Sequence, residues 1–179
     1  AALCCSLAAL HERGVVHRNI SPRCVMFARD RHPYLGGFDR VCRLEERGPM
    51  LLAEREIQAA ASSPLDVLGD VRFLSPEACR GDEFDQRSDV YSLGCLLYTI
   101  LAGAPPFDSD DAMQVMLHHA TTPPPDLRAL GLPLTANTPQ VVTRALAKSP
   151  QARHESAAKM LEALTGGEAT LRWQGNPDY

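Results

Sequence analysis

Apolar residues recur at helical spacing from the first turn of the chain. Leu3, Leu7 and Leu10 share one face, and Gly14 supplies a C-terminal stop. The pattern then shortens: Val15-Val16, Val25-Met26-Phe27 and Tyr34-Leu35 are apolar runs too brief for helices, and they predict short strands. From Gly36 to about Leu74 no period is sustained, and the stretch contains Glu45-Glu46-Arg47-Gly48-Pro49 and Ala61-Ser62-Ser63-Pro64. A loop of that length inside a compact domain is usually functional or disordered.

Helix signals resume at Ser75-Pro76-Glu77, which combines an N-cap, a Pro at the first helical position and an early acid. The longest apolar stretch, Leu93 to Ala102, is broken by Gly94, Tyr98 and Thr99. It matches a buried core helix and is too short to span a bilayer. Ser109-Asp110-Asp111 places acids in a first turn, and Thr138-Pro139 repeats the Pro signal. Thr121 to Pro125 predicts an irregular connector, and Thr165-Gly166-Gly167 ends the last helix. The expectation is one mainly α domain over residues 1–165, followed by a polar tail or linker over 166–179.

With 179 residues the chain can build a real core without staples. Its net charge is -4 and its Lys and Arg are scattered, which argues against nucleic acid as the main partner. The six cysteines (Cys4, Cys5, Cys24, Cys42, Cys79, Cys95) show no CxxC spacing. They read as reduced, mostly buried thiols of a cytoplasmic domain rather than as zinc ligands or disulfides. No signal-peptide pattern is visible. His118-His119 reads as a solvated or half-buried helix face rather than a metal site. His17 beside a serine could suggest a nucleophilic triad, but no nucleophile elbow accompanies it.

A more specific picture comes from motif order. His17-Arg18-Asn19-Ile20-Ser21-Pro22-Arg23-Cys24 resembles the protein-kinase catalytic loop, an HRD followed by a short spacer and an Asn. Gly37-Phe38-Asp39 stands where that family carries DFG. Phe73-Leu74-Ser75-Pro76-Glu77 is similar to the APE-containing segment that closes the activation loop. Asp85-Gln86-Arg87-Ser88-Asp89-Val90-Tyr91-Ser92-Leu93-Gly94 resembles the start of the central F helix, with Gly103-Ala104-Pro105-Pro106-Phe107 as the turn after it. Leu146-Ala147-Lys148-Ser149-Pro150-Gln151-Ala152-Arg153 resembles the late segment whose Arg pairs with the APE Glu. Motifs in this order, over about Leu3 to Leu164, resemble bacterial-type serine/threonine protein kinases.

The resemblance implies a kinase-like C-terminal lobe: a helical bundle with short β-hairpins around the catalytic and activation loops. Neither a Gly-rich phosphate loop nor a VAIK-like Lys occurs in the sequence, so the N-lobe is expected upstream in a longer protein, unless the protein works as a half-kinase. The family's loop Asp accepts the substrate proton, while its DFG Asp and loop Asn hold magnesium. Here those positions carry Asn19, Gly37 and Cys24. An amide cannot take a proton at neutral pH, glycine offers no ligand, and a thiol is a poor match for a hard cation. Ser21 stands where many members have a Lys, and Asp70 where they have a Thr bridging the loop to the base.

The bracing positions remain. The resemblance implies that His17 and Arg18 brace the loop, Asp89 accepts hydrogen bonds from its backbone, and Glu77 and Arg153 form a buried ion pair. Without the flanking match, Asp89 would read as a surface acid in a helix's first turn. The expectation is a catalytically impaired pseudokinase, a signalling module with a protein or peptide partner, no nucleic-acid partner, no membrane span in this segment and no cofactor. Arg18 would be available to pair with Glu45, or with Ser62 or Ser63 once phosphorylated. The alternative is a weak serine/threonine kinase that uses ATP and Mg, with Asp39 brought to the metal by a shift of the Gly36-Gly37 backbone.

Overall fold

The structure, a computed structural model, describes residues 1–43, 70–135 and 137–167. Helix α1 (Ala2–His11) buries Leu3, Cys4, Leu7 and Ala8, as its spacing predicts, and packs against α6 (Ala157–Thr165). Two small antiparallel sheets follow. Strand β1 (Val15–Val16) pairs with β4 (Cys42–Arg43), with Val16 opposite Cys42. Strand β2 (Val25–Phe27) pairs with β3 (Pro33–Leu35), with Val25 opposite Leu35. The segment 17–24 is therefore pinned at one end by each sheet. Pro33 starts β3 at its outer end, where a missing N–H costs the ladder little.

The remaining helices are α2 (Pro76–Arg80), α3 (Gln86–Ala102), α4 (Ala112–Thr121) and α5 (Asn137–Ala145). Their starts follow local chemistry. Ser75, Asp85, Asp111 and Ser156 each accept a backbone N–H of the helix they open, at Ala78, Arg87, Met113 and Lys159. Pro139 falls in the first turn of α5, where its missing N–H has no intrahelical partner to lose. The connector expected at Thr121 to Pro125 begins at Thr122, after the last residue of α4.

Helix α3 is the centre of the molecule. Val90, Leu93, Cys95 and Leu96 are buried in a core shared with Leu3, Leu7, Leu35, Val142 and Leu161. A second cluster of Val16, Leu74, Ala78 and Phe84 lies under the loops. Gly94 lets α3 and α5 approach: a Cβ there would lie 2.9 Å from the Ala145 Cβ and 3.3 Å from Leu146 Cδ2. Among the described residues no helix is long and apolar enough to cross a membrane.

Two expectations need correction. The aperiodic stretch after Gly36 begins with structure: a 3-10 turn at Phe38–Arg40, then β4, and it ends in another 3-10 turn at Val71–Phe73. Two-residue strands carry no readable period, and β4 forms because β1 presents unpaired backbone groups from far earlier in the chain. Residues 44–69, including Glu45-Glu46-Arg47-Gly48-Pro49 and Ala61-Ser62-Ser63-Pro64, lie outside the described residues, as does the tail from 168 to 179.

The second correction concerns His119, which is fully buried rather than solvated. Its Nδ1 meets the Tyr91 hydroxyl at 2.9 Å, and Lys148 Nζ donates to the His119 carbonyl at 2.8 Å. Lys148 also sits 4.6 Å from the Phe107 ring centre, so an ammonium, a phenol and two rings seat the end of α4. His118 is half-buried, as expected, and stacks on Phe107. Burial first, and the Lys148 charge second, push the His119 imidazole down to about 4 against the pull of the Arg72 backbone. At neutral pH it is uncharged and accepts the Tyr91 proton.

Two outcomes are expected. Gly94→Ala gains helix propensity of about 1 kcal/mol but overpacks a rigid contact at a typical cost of ~1–3 kcal/mol. Urea unfolding should therefore show net destabilisation. As pH falls from the ordinary histidine value of 6.5 toward 4, the unfolded chain binds a proton at residue 119 that the folded chain refuses. Stability should drop across that window by up to roughly 3 kcal/mol, and His119→Gln should flatten that part of a stability-versus-pH curve.

Candidate functional site

Asp89 lies in the first turn of α3 and is almost completely buried. Its Oδ2 accepts from the His17 backbone N–H at 2.7 Å and from His11 Nε2 at 3.0 Å, and its Oδ1 accepts from the Arg18 N–H at 2.8 Å. The surface-acid reading of Asp89 is thereby excluded. Arg18 adopts φ 65°, an uncommon left-handed conformation that accompanies the convergence of two successive N–H groups on one carboxylate. His11 was not singled out from the sequence. The one available hint is its place in the last turn of α1, and its partner lies 78 positions away.

His17 is also fully buried. Its Nε2 donates to the Gly36 carbonyl at 2.9 Å, leaving Nδ1 to accept the Asn19 N–H at 3.4 Å. Both ring nitrogens serve the backbone, so the imidazole is a brace between the loop and the strand β3 exit, and the triad idea has no free base to use. The Phe38 ring sits 5.5 Å from it.

The Arg18 guanidinium lies 4.4 Å from the Phe84 ring centre, and its Nε is buried without a hydrogen-bond partner. It borders a cavity of about 20 Å³ together with Asn19, Asp70, Ser88 and Ser92. That is room for about one water. Asn19 and Asp70 thus share a wall, but Asp70 is directed elsewhere. Its carboxylate accepts Arg72 Nε at 2.8 Å and NH2 at 2.7 Å and caps the 3-10 turn through the Arg72 N–H. Burial alone would raise the Asp70 carboxyl, but the Arg72 hydrogen bonds and charge outweigh it and hold the group below its ordinary range.

Cys24, Gly37 and Asp39 meet on the other side of the loop. Cys24 is 4% exposed and its thiol donates to the Asn19 carbonyl at 2.7 Å, with Ser21 Oγ 3.9 Å from the sulfur. Gly37 sits at φ 75°. The Asp39 side chain is 66% exposed and lies 3.8 Å from Arg40 Nε. A hard dication would find here one buried sulfur already engaged with the backbone, one residue with no side chain, and one carboxylate turned to solvent. These residues do not fit magnesium, which wants oxygen ligands in near-octahedral array.

The pair that closes the neighbouring segment is intact. Glu77 Oε1 and Oε2 accept Arg153 NH1 and NH2 at 2.6 and 2.7 Å. The other guanidinium hydrogens go to the carbonyls of Ala147, Arg87 and Lys148, so all five donors are used. Ser88 Oγ adds a 2.6 Å bond to Glu77, and the guanidinium stacks 4.8 Å from the Tyr91 ring centre. Burial opposes the Glu77 charge, yet Arg153 and Ser88 prevail and keep its carboxyl below the ordinary value.

Truncating Arg153 strands a buried carboxylate together with three carbonyls. Arg153→Ala should cost on the order of 3–5 kcal/mol, whereas Asn19→Ala should change stability by less than about 1 kcal/mol. Thermal unfolding of the two variants side by side checks both; equal shifts would contradict the assignment.

Comparison with known proteins agrees with this geometry. The protein kinase domain family matches residues 1–165. The serine/threonine-protein kinase PknB of Mycobacterium tuberculosis is 37% identical over 159 residues, covering 88% of this chain and 24% of the relative. The probable serine/threonine-protein kinase PknB of Corynebacterium glutamicum is 33% identical over 166 residues, covering 90% and 24%. The probable serine/threonine-protein kinase SCO3848 of Streptomyces coelicolor is 34% identical over 161 residues, covering 88% and 22%. The chain spans about a quarter of the length of the curated relatives it matches. With bracing residues, segment order and sequence likeness all in agreement, this chain belongs to the protein kinase domain family.

Proposed function

We propose that this domain is a pseudokinase, a signalling module that binds a protein or peptide partner without transferring phosphate. The observation that carries the reading is the state of the loop: an amide at position 19, a thiol at 24 bonded to the loop's own carbonyl, and no side chain at 37. A general base is worth about 10²- to 10⁴-fold in rate, and a preorganised charge about 3–4 kcal/mol. Their losses need not add, but each removes most of a useful rate. No ATP or Mg requirement follows from this reading.

The partner face is supported by exposed apolar side chains flanking the loop: Met26, Phe27, Tyr34, Phe38 and Val41. An upstream N-lobe in a longer protein would cover such a surface. Arg18, with its orphaned Nε, is the proposed receiver of an acid or phosphate; Glu45, Ser62 and Ser63, the suggested donors, lie outside the described residues. Six unpaired thiols support a reducing, cytoplasmic setting.

A second reading, a weak kinase using Asp39 for metal, is favoured by one fact. Asp39 Oδ1 lies 3.8 Å from where a side chain at position 37 would begin. Radiolabelled phosphotransfer by the longest natural form of the protein separates the two. No transfer above that of an Asn19→Ala control is expected; transfer that disappears in Asp39→Asn would establish the second reading instead.

A further inference from the structure

The lost metal pocket is occupied as well as stripped. A Cβ at position 37 would lie 3.1 Å from Cys24 Sγ and 3.6 Å from Cys24 Cβ. The second distance is an ordinary contact, so the sulfur alone stands in the way. It has little room to yield: Cys24 is nearly buried, and turning its thiol away breaks the 2.7 Å bond to the Asn19 carbonyl. The positive φ at Gly37 does not by itself require glycine, because aspartate is among the residues that enter the left-handed region. We propose that the Cys24 thiol is a plug in the former cation pocket and that it disfavours any side chain at position 37, so the two departures from the family pattern form one interlocked unit.

This inference rests on the pseudokinase reading and deepens it. The thiol closes the loop as a hydrogen-bond donor while filling the volume that a carboxylate at 37 would enter. Asp39 stands at the rim, with Oδ1 3.8 Å from the same point. A carboxylate restored at 37 would therefore meet sulfur on one side and like charge on the other. With the sulfur removed, two carboxylates would face a space that a hard divalent cation can neutralise.

A double-mutant cycle tests the interlock. Gly37→Ala should lower Tm by ~4–8 °C in the natural background. In a Cys24→Ala background the same change should cost only ~2–4 °C, the part due to a left-handed alanine. Equal costs in the two backgrounds overturn the proposal. Mn²⁺ uptake read by electron paramagnetic resonance tests the plug directly. None is expected for Gly37→Asp alone, and uptake is expected for Gly37→Asp combined with Cys24→Ala. Uptake by the single variant overturns the proposal, as does its absence in a folded double variant. Should Gly37→Asp fail to fold, the alanine cycle still decides. Phosphotransfer by the natural protein would remove the pseudokinase reading without changing the cycle, whereas an additive cycle would remove the plug and leave that reading standing on Asn19.

Discussion

One buried carboxylate organises this domain. Asp89 gathers the His11 imidazole from the end of α1 and two backbone N–H groups of the catalytic-loop segment onto the first turn of α3. A buried charge is tolerable only when its lone pairs are filled, and here the loop backbone fills them. The loop's path is thereby set by the helix beneath it, whatever side chains the loop presents upward. Arg18 holds its left-handed conformation within that anchorage.

The same logic extends along the chain. The carboxylate of Glu77 is clasped by an arginine whose every donor is engaged, which joins α2, α3 and the segment before α6. His17 links the loop to the exit of β3, and Lys148 closes the end of α4 over Tyr91 and Phe107. Such bracing groups act on geometry and owe nothing to a nucleotide. The carboxylates of Asp89 and Glu77 are satisfied from within the scaffold, whatever residues stand at positions 19, 24 and 37.

Two of the positions that depart from the family pattern, Asp70 and Cys24, have local partners. Asp70, at a position where the resemblance expects a link to the catalytic loop, is folded back on Arg72. Cys24 bonds the loop carbonyl of Asn19, and its sulfur lies 3.1 Å from where a Cβ at position 37 would sit. The thiol and the Asp70 carboxylate are both occupied, while the buried Arg18 Nε has no hydrogen-bond partner.

Much of the architecture was legible because it is local. Ser75-Pro76-Glu77, Asp85 and Asp111 mark helix starts through short-range hydrogen bonds, and Leu3-Leu7 marks a buried face through spacing alone. Motif order marks His17, Asp89, Glu77 and Arg153 as a set of bracing positions. Tertiary structure alone decided the rest: the pairing of Val16 with Cys42, the burial of His119 under Tyr91, the His11 bond to Asp89, and the closeness of Cys24 to Gly37. Each of these joins residues distant in the chain, at distances set by how helices and strands pack, and a linear pattern carries no record of such distances.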